Sequence, residues 1–128
     1  LEGRVEFAGR VSDEELRQCY QSAAVFVMPS ENEGFGLVYA EAMAHGVPCI
    51  GSDRDAAREV IAHGESGLCV PAGNSTALAD AIVALLRSTE LRSQMSRAAR
   101  MRFLAHFSAE KHRDRLLVEL RRWQEAAD

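Results

Sequence analysis

Short apolar runs alternate with segments of helical periodicity over the first two-thirds of this 128-residue chain. Apolar, β-branched and aromatic residues bounded by glycine or proline are typical of buried strands. Such runs predict strands within residues 4–8, 23–30, 47–52 and 67–73. The patterns between them predict helices from about Asp13 to Ser22, Leu37 to Ala44 and Asp55 to Ala62. The element order is therefore β-α-β-α-β-α-β.

Local signals support these boundaries. Ser12 and Glu15 have the S-x-x-E spacing of a capping box, and Gly46 follows the second helix as a C-terminal cap should. Strands that are apolar on both faces imply a parallel sheet covered by helices on both sides. Right-handed crossovers then give a Rossmann-like α/β layout.

Only helical patterns follow Asn74, which is suited to cap the first of three predicted helices; Ser108 is suited to cap the last. Arginine recurs through this region, at Arg87, Arg92, Arg97, Arg100 and Arg102. A solvated polar helix face is the simpler interpretation of these arginines. Attraction to an acidic membrane surface or an acidic partner is the alternative.

Composition limits the function classes. Hydrophobic residues make up 47% and charged residues 27%, which is typical of a globular domain, and the net charge of −4 argues against nucleic-acid binding. The chain begins at Leu1 rather than Met, without a signal segment, so we expect a piece of a longer protein. Cys19, Cys49 and Cys69 are far apart; we expect Cys49 and Cys69 to be buried reduced thiols in a cytoplasmic protein.

The stretch ENEGFGLVYAEAMAHG, residues 31–46, carries the candidate chemistry. A glycine turn follows a predicted strand and opens a helix, where ligands of open α/β sheets bind. The free N–H groups and dipole of that helix favour an anion such as a pyrophosphate, and Gly34 and Gly36 allow close approach to the backbone.

Glu33 and Glu41 flank this anion position, and each carboxylate can accept hydrogen bonds from two hydroxyls at once. A nucleotide sugar has a diphosphate between two polyols, a hexose and a ribose, and fits the arrangement. The ordinary alternative is a common glycine turn followed by an acid that suits the helix dipole. That alternative explains Glu41 poorly, because it lies beyond the first residues, and does not explain Glu33.

The segment PSENEGFGLVYAEAMAHGVPCIGSD closely resembles the E-x7-E signature of retaining GT-B glycosyltransferases, glycosyltransferase family 4 (group 1). The resemblance covers roughly Val5 to Leu86 and corresponds to the later part of the C-terminal, donor-binding domain. It implies a Rossmann-like donor-binding part at residues 1–86, with residues 87–128 as C-terminal helices of the same domain.

The resemblance also implies residue roles. Glu33 would be the catalytic-site carboxylate that binds hydroxyls of the donor sugar. The backbones of Gly34, Phe35 and Gly36 would meet the sugar and diphosphate. Those of Leu37 and Val38 would lie by the diphosphate or nucleoside, and Glu41 would bind the ribose. Glu59 matches a glutamate that recurs in the family. Its role is either structural or to line the cleft, and both alternatives remain open.

The implied reaction transfers a hexose from a nucleoside-diphosphate sugar to a hydroxyl acceptor with retention, and it needs no metal or other cofactor. The acceptor-binding N-terminal domain and the family's arginine and lysine pair for the diphosphate are missing from this chain. Arg54 and Arg58 are candidates to replace some of that charge, but RDAARE departs from the family pattern after Ser52. We therefore expect the isolated chain to bind the donor only weakly and to lack turnover.

Two other functions remain open at this stage. One is a GT-B-like nucleotide-sugar epimerase, and the other is a non-catalytic Rossmann-like module that mediates assembly through the arginine-rich helices. The expected partners are a nucleotide sugar and the missing domain, and not nucleic acid. Peripheral association of the parent protein with the inner face of the membrane is also open.

Overall fold

The computed structural model describes residues 3–31 and 34–127 of the chain. Six helices and three strands occur in these residues: α1 Asp13–Ser22, β1 Phe26–Met28, α2 Leu37–Ala44, β2 Cys49–Ser52, α3 Ala57–Val60, β3 Gly67–Val70, α4 Ser75–Arg87, α5 Thr89–His106 and α6 Ala109–Ala127. The strands form a parallel sheet in the order β1-β2-β3. Val27 pairs with Ile50, which pairs with Leu68.

Alternate side chains of the strands enter two separate apolar clusters. Cys49 and Cys69 pack with α2 and α3 on one face, whereas Ile50 and Val70 pack with Leu85 of α4 on the other. Because successive strand residues point to opposite faces, a strand that is apolar throughout needs cover on both sides. The predicted parallel sheet with helices on both faces is confirmed.

Local capping explains why several helix boundaries match the sequence prediction. Ser12 and Glu15 form the complete capping box of α1. The side chain of Asn74 accepts a hydrogen bond from the backbone N–H of Ala77 at the start of α4. Ser108 Oγ accepts one from the N–H of Lys111 in α6. Each contact satisfies an N–H group that the helix itself leaves unpaired.

The predicted strand from Arg4 to Ala8 is wrong. This segment pairs with no strand in the described part of the chain, and it leaves the side chains of Val5 and Phe7 55% and 94% exposed. An alternating apolar pattern creates a strand only where a neighbouring strand supplies hydrogen bonds and a covering layer supplies burial.

The third predicted helix is shorter than expected, because α3 spans only Ala57–Val60. The loop before it is held by its own side chains: Ser52 Oγ accepts from the N–H of Arg54, and Asp55 Oδ1 accepts from the N–H of Ala57 at 2.7 Å. Asp and Ser side chains that bond nearby backbone favour turns over helix. The departure from the family pattern after Ser52 is therefore a defined turn.

Three of the five recurring arginines of the helical region donate hydrogen bonds to carbonyl groups at the ends of other helices. Arg92 donates to the carbonyl of Leu85 at the end of α4, and Arg100 donates to that of Ala44 at the end of α2. Arg102 donates to the carbonyl of Val60 at the end of α3. The last carbonyls of a helix lack internal partners and carry partial negative charge. The solvated-face interpretation is incomplete for these three arginines, because Arg100 is exposed and Arg92 and Arg102 are partly exposed, yet each also caps a helix.

The thiols differ in burial. Cys49 is buried, Cys69 is partly buried and Cys19 is exposed, and all three are free. Burial raises the pKa of the Cys49 thiol from 9.0 to about 12. Cys49 therefore acts as a small apolar side chain of the core, as expected, whereas the expectation of full burial is wrong for Cys69.

Candidate functional site

Gly36 is the N-cap of α2 and adopts a left-handed conformation, with φ 65° and ψ 24°. A Cβ atom at this position would lie 2.9 Å from Cγ2 of Val60 and 3.2 Å from Cδ2 of Tyr39. Both the backbone conformation and the lack of space therefore require glycine here. The turn brings the chain from the end of β1 into α2 against the face of α3.

The first turn of α2 leaves N–H groups available to a ligand. Tyr39 and Ala40 already donate their N–H groups to the carbonyl of Gly36, at 3.0 and 3.3 Å. The N–H groups of Leu37 and Val38 precede the intrahelical bonds and have no acceptor within the helix. This first turn contains no acidic residue. The arrangement therefore favours an anion.

The residues around this turn are open to solvent. Phe35 is 84% exposed, and Leu37 is exposed as well. A Cβ atom added to Gly34 would meet no atom within 4 Å. The chain can thus be reached from outside at Gly34, Phe35 and Leu37, whereas Gly36 is buried and Val38 is partly buried. Ligand binding at this turn stays a prediction.

Glu41 lies one turn into α2 with its side chain exposed. Its Oε2 atom accepts a hydrogen bond from the hydroxyl of Tyr20 on α1 at 3.1 Å. Tyr20 is only 8% exposed. Burial, and next the charge of Glu41, raise the pKa of Tyr20 from 10.0 to about 12, so the phenol keeps its proton at neutral pH.

A groove of about 460 Å³ opens beside Glu41, between α1, α2 and the end of α5. Leu16, Leu37 and Phe103 contribute apolar surface, whereas Arg17 and Glu41 contribute charge. Clefts that bind small molecules commonly combine an apolar lining with a few polar groups. Glu41 therefore faces a concave surface and not only the helix N-terminus.

Glu33 lies outside the described residues. Gly34, Phe35, Gly36, Leu37, Val38 and Glu41 belong to one continuous turn and helix start, as predicted. Glu59 lies on α3, where its carbonyl accepts from Arg102 and its side chain borders a second surface pocket. Its role stays a prediction.

Arg54 and Arg58 border the same second pocket as Glu59. Asp53 and Asp55 lie there too, so acidic side chains outnumber the arginines around it. The local charge is therefore mixed. Replacement of the family's diphosphate-binding cations by Arg54 or Arg58 stays a prediction.

Sequence reasoning missed two tyrosines that organise the site. Tyr20 contacts Glu41, and the fully buried Tyr39 donates its hydroxyl to the carbonyl of Met28 at 2.5 Å. The Tyr39 hydroxyl also lies 3.4 Å from Oδ2 of Asp55, so it links the end of β1 with the loop after β2. A tyrosine at an apolar helix position is a signal for such a contact, because its hydroxyl needs a partner when buried.

Two properties of the described part of the chain concern other kinds of site. No helix there combines the length and apolarity needed to cross a lipid bilayer. No three His, Cys, Asp or Glu side chains are grouped there so that they could hold a metal ion.

Residues 1–102 match the family model described as glycosyl transferases group 1. The chain belongs to this family. It is 48% identical over 91 residues to a phosphatidyl-myo-inositol mannosyltransferase of Mycobacterium leprae, an alignment that covers 70% of this chain and 24% of that protein. The chain thus spans about a quarter of the length of this relative.

Solved structures agree with the family assignment. The C-terminal domain of a group 1 glycosyl transferase, LpcC from Francisella tularensis, matches with a TM-score of 0.74 and 25% identity, over 80% of this chain and 53% of that one. Anabaena Alr3699/HepE in complex with UDP-glucose matches with a TM-score of 0.83 and 26% identity, over 94% of this chain and 33% of that one. The fold is that of the C-terminal domain of GT-B glycosyltransferases.

Proposed function

We propose that the chain is the donor-binding part of a retaining glycosyltransferase, which transfers a hexose from a nucleoside-diphosphate sugar to a hydroxyl acceptor. One observation carries the proposal. The N-terminus of α2, where the N–H groups of Leu37 and Val38 have no acceptor within the helix, lies one helical turn from the exposed carboxylate of Glu41. An anion-binding group and a diol-binding group therefore share one short helix.

The diphosphate of the donor binds at the start of α2. The N–H groups of Leu37 and Val38 donate to its oxygens, and the exposed residues Gly34 and Phe35 permit close approach, whereas Gly36 is buried and shapes the turn. Donors fixed by a helix require little reorganisation when negative charge develops on the leaving diphosphate. This is the contribution of the described turn to the reaction.

The two glutamates bind the two polyol ends of the donor. Glu41 accepts hydrogen bonds from the ribose hydroxyls, with the nucleoside lying toward the groove that Glu41 borders. Glu33 accepts from hydroxyls of the hexose and is the catalytic-site carboxylate. The leaving diphosphate takes the acceptor proton, so the protein mainly orients the donor and stabilises the leaving charge.

The acceptor is bound by a domain that this chain does not include. The chain spans about a quarter of the length of the mannosyltransferase relative, and a third of the HepE chain that was solved with UDP-glucose. We infer that the chain by itself binds the donor and does not turn it over. Residues 1–86 form the donor-binding part, and residues 87–128 complete the same domain, since Arg100 and Arg102 of α5 bind the ends of α2 and α3. We also propose that the parent protein acts in the cytoplasm, either free or at the inner face of the membrane.

Nucleotide titration tests the proposal. The purified chain is titrated with UDP, GDP, UDP-glucose and GDP-mannose by ligand-observed NMR, which detects weak binding, and Glu41→Ala is titrated in parallel. The matched control is Glu110→Ala, which removes an exposed glutamate from the start of α6. We expect Glu41→Ala alone to weaken binding, and the preferred nucleotide to identify the base.

Two results would contradict the proposal. Equal binding by Glu41→Ala and Glu110→Ala would remove Glu41 from the ribose site. Failure of all four ligands to bind the wild-type chain would exclude a complete donor site for uridine and guanosine nucleotides within it. Sugar transfer by the isolated chain would contradict only the inference that it lacks turnover.

A further inference from the structure

Tyr20 and Glu41 come from different helices and meet at the edge of the groove. The Tyr20 hydroxyl lies 3.1 Å from Oε2 of Glu41, although the two residues are 21 positions apart in the chain. Tyr20 is buried and Glu41 is exposed. A fixed donor therefore holds a carboxylate that would otherwise rotate freely in solvent.

The tyrosine ring is itself held on both sides. It stacks on His45 with ring centroids 5.7 Å apart and planes 9° apart, and it contacts Phe26 at a centroid distance of 5.9 Å. The capping box of Ser12 and Glu15 stabilises α1, which carries the ring. The position of the hydroxyl is thus set by packing, independently of Glu41.

The hydrogen bond leaves most of the Glu41 carboxylate available. A carboxylate has about four acceptor positions, and the Tyr20 hydroxyl occupies one of them on Oε2. Oε1 and the remaining position on Oε2 are enough for two neighbouring hydroxyls. Ordering a free glutamate side chain on binding costs conformational entropy. A partner that orders the side chain beforehand reduces that cost.

We propose that Tyr20 is a positioning residue that orients the Glu41 carboxylate toward the ribose diol of the donor. The inference rests on the proposed function, because it takes Glu41 as the ribose ligand. It adds a residue from α1, outside the glutamate motif, to the donor site. Tyr20 acts through Glu41 and does not itself contact the ribose.

Tyr20→Phe isolates the hydrogen bond, because the ring that packs on His45 and Phe26 is kept. Wild type and Tyr20→Phe are titrated with UDP and GDP, and with 2′-deoxy-UDP and 2′-deoxy-GDP, which lack one hydroxyl of the diol. We expect Tyr20→Phe to weaken binding of the preferred ribonucleotide roughly five-fold, which corresponds to the net contribution of a typical single hydrogen bond. The same variant changes deoxynucleotide binding much less.

A double-mutant cycle separates positioning from packing. In the Glu41→Ala background, Tyr20→Phe is expected to have no further effect on ribonucleotide binding, because the group it orients is gone. An equal loss for ribonucleotides and deoxynucleotides, or an unchanged loss without Glu41, would assign Tyr20 a packing role and overturn the proposal.

A measurement on the free protein decides the question even without a bound nucleotide. Side-chain scalar couplings of Glu41 are expected to report one dominant rotamer in the wild type and averaged rotamers in Tyr20→Phe. Identical couplings in both proteins would overturn the proposal whatever the titrations give. Failure of the proposed function has a different signature, namely nucleotide binding that does not respond to Glu41→Ala.

Discussion

The guanidinium of Arg102 donates through Nε to the backbone carbonyl oxygen of Val60 at 2.7 Å, at the end of α3. The side chain of Val60 in turn packs on the turn that begins α2, where its Cγ2 atom leaves no space for a side chain at Gly36. Helix α5 therefore supports the candidate donor site indirectly, because Arg102 binds the end of α3 and α3 packs against the turn that begins α2. It also supports α2 directly, through Arg100 and the carbonyl of Ala44.

Loss of the Arg102 contact should destabilise the protein. Arg102→Gln removes a charged donor from the carbonyls of Val60 and Glu59, at 2.7 and 2.9 Å, and from the ring of Phe107. Hydrogen bonds that involve a charged group contribute about 1.5–3 kcal/mol. We expect a loss of unfolding free energy of about that size, measured by urea denaturation followed by circular dichroism.

Arg97→Gln is the matched control, because Arg97 lies on the same helix and is exposed. Arg and Gln have similar helix propensities, so neither substitution alters α5 itself. The control should change the unfolding free energy by less than about 0.5 kcal/mol. Equal losses of unfolding free energy in both variants would mean that the hydrogen bonds of Arg102 to the end of α3 contribute nothing beyond general surface charge.

Two glycines of the same turn should respond differently to alanine. Gly36→Ala places a Cβ atom 2.9 Å from the Val60 side chain in a left-handed conformation, which alone costs about 1–2 kcal/mol. Gly34→Ala meets no atom within 4 Å, so its stability should stay within about 0.5 kcal/mol of the wild type. Thermal unfolding of both variants checks this contrast.

Nucleotide binding to Gly34→Ala tests the proposed approach of the donor to the turn. If the donor approaches the backbone at Gly34, the added methyl group should weaken UDP or GDP binding in a variant that is otherwise folded and stable. Unchanged affinity in Gly34→Ala would exclude close approach of the diphosphate at that residue. Gly36→Ala is not informative for binding, because its fold is already strained.

Signals that act within a few residues made part of this structure predictable. The bounds of α1 and α2 follow from the sequence because capping and glycine turns act locally, as the box of Ser12 and Glu15 demonstrates. The sequence also predicts the glycine turn before α2 and the position of Glu41 one turn into that helix, because these residues follow one another closely along the chain. Glu33 was predicted by the same motif and lies outside the described residues.

Contacts between distant residues could not be predicted. The segment from Arg4 to Ala8 has a strand pattern, but pairing depends on a neighbour that no local pattern specifies. Arg102 meets Val60 across 42 positions, and Tyr20 meets Glu41 across 21. From the sequence these side chains are an arginine on a polar face and a tyrosine on an apolar one. Only the packed fold reveals what they bind.

Alkaline pH should destabilise the protein through protonated groups of its interior, of which Cys49 and Tyr20 have the largest pKa shifts. Burial raises the pKa of Cys49 from 9.0 to about 12; for Tyr20, burial and next the charge of Glu41 raise the pKa from 10.0 to about 12. Between the two pKa values of each group the native state keeps a proton that the unfolded chain has lost. Stability therefore falls as pH rises through this window, by at most about 1.4 kcal/mol per pH unit for each group.

Variants assign the alkaline loss to each group. Urea unfolding is measured from neutral pH to about pH 12, and the unfolding free energy is compared between variants. In Cys49→Ala this free energy should fall less steeply with pH from the lower end of the window onwards, and in Tyr20→Phe it should fall less steeply in the upper part. Cys19→Ala is the control, because Cys19 is exposed and should leave the decline unchanged. The argument fails if Cys19→Ala flattens the decline as much as Cys49→Ala does, because a solvated thiol then accounts for the titration. A decline that all three variants leave intact would place the titrating groups elsewhere in the chain.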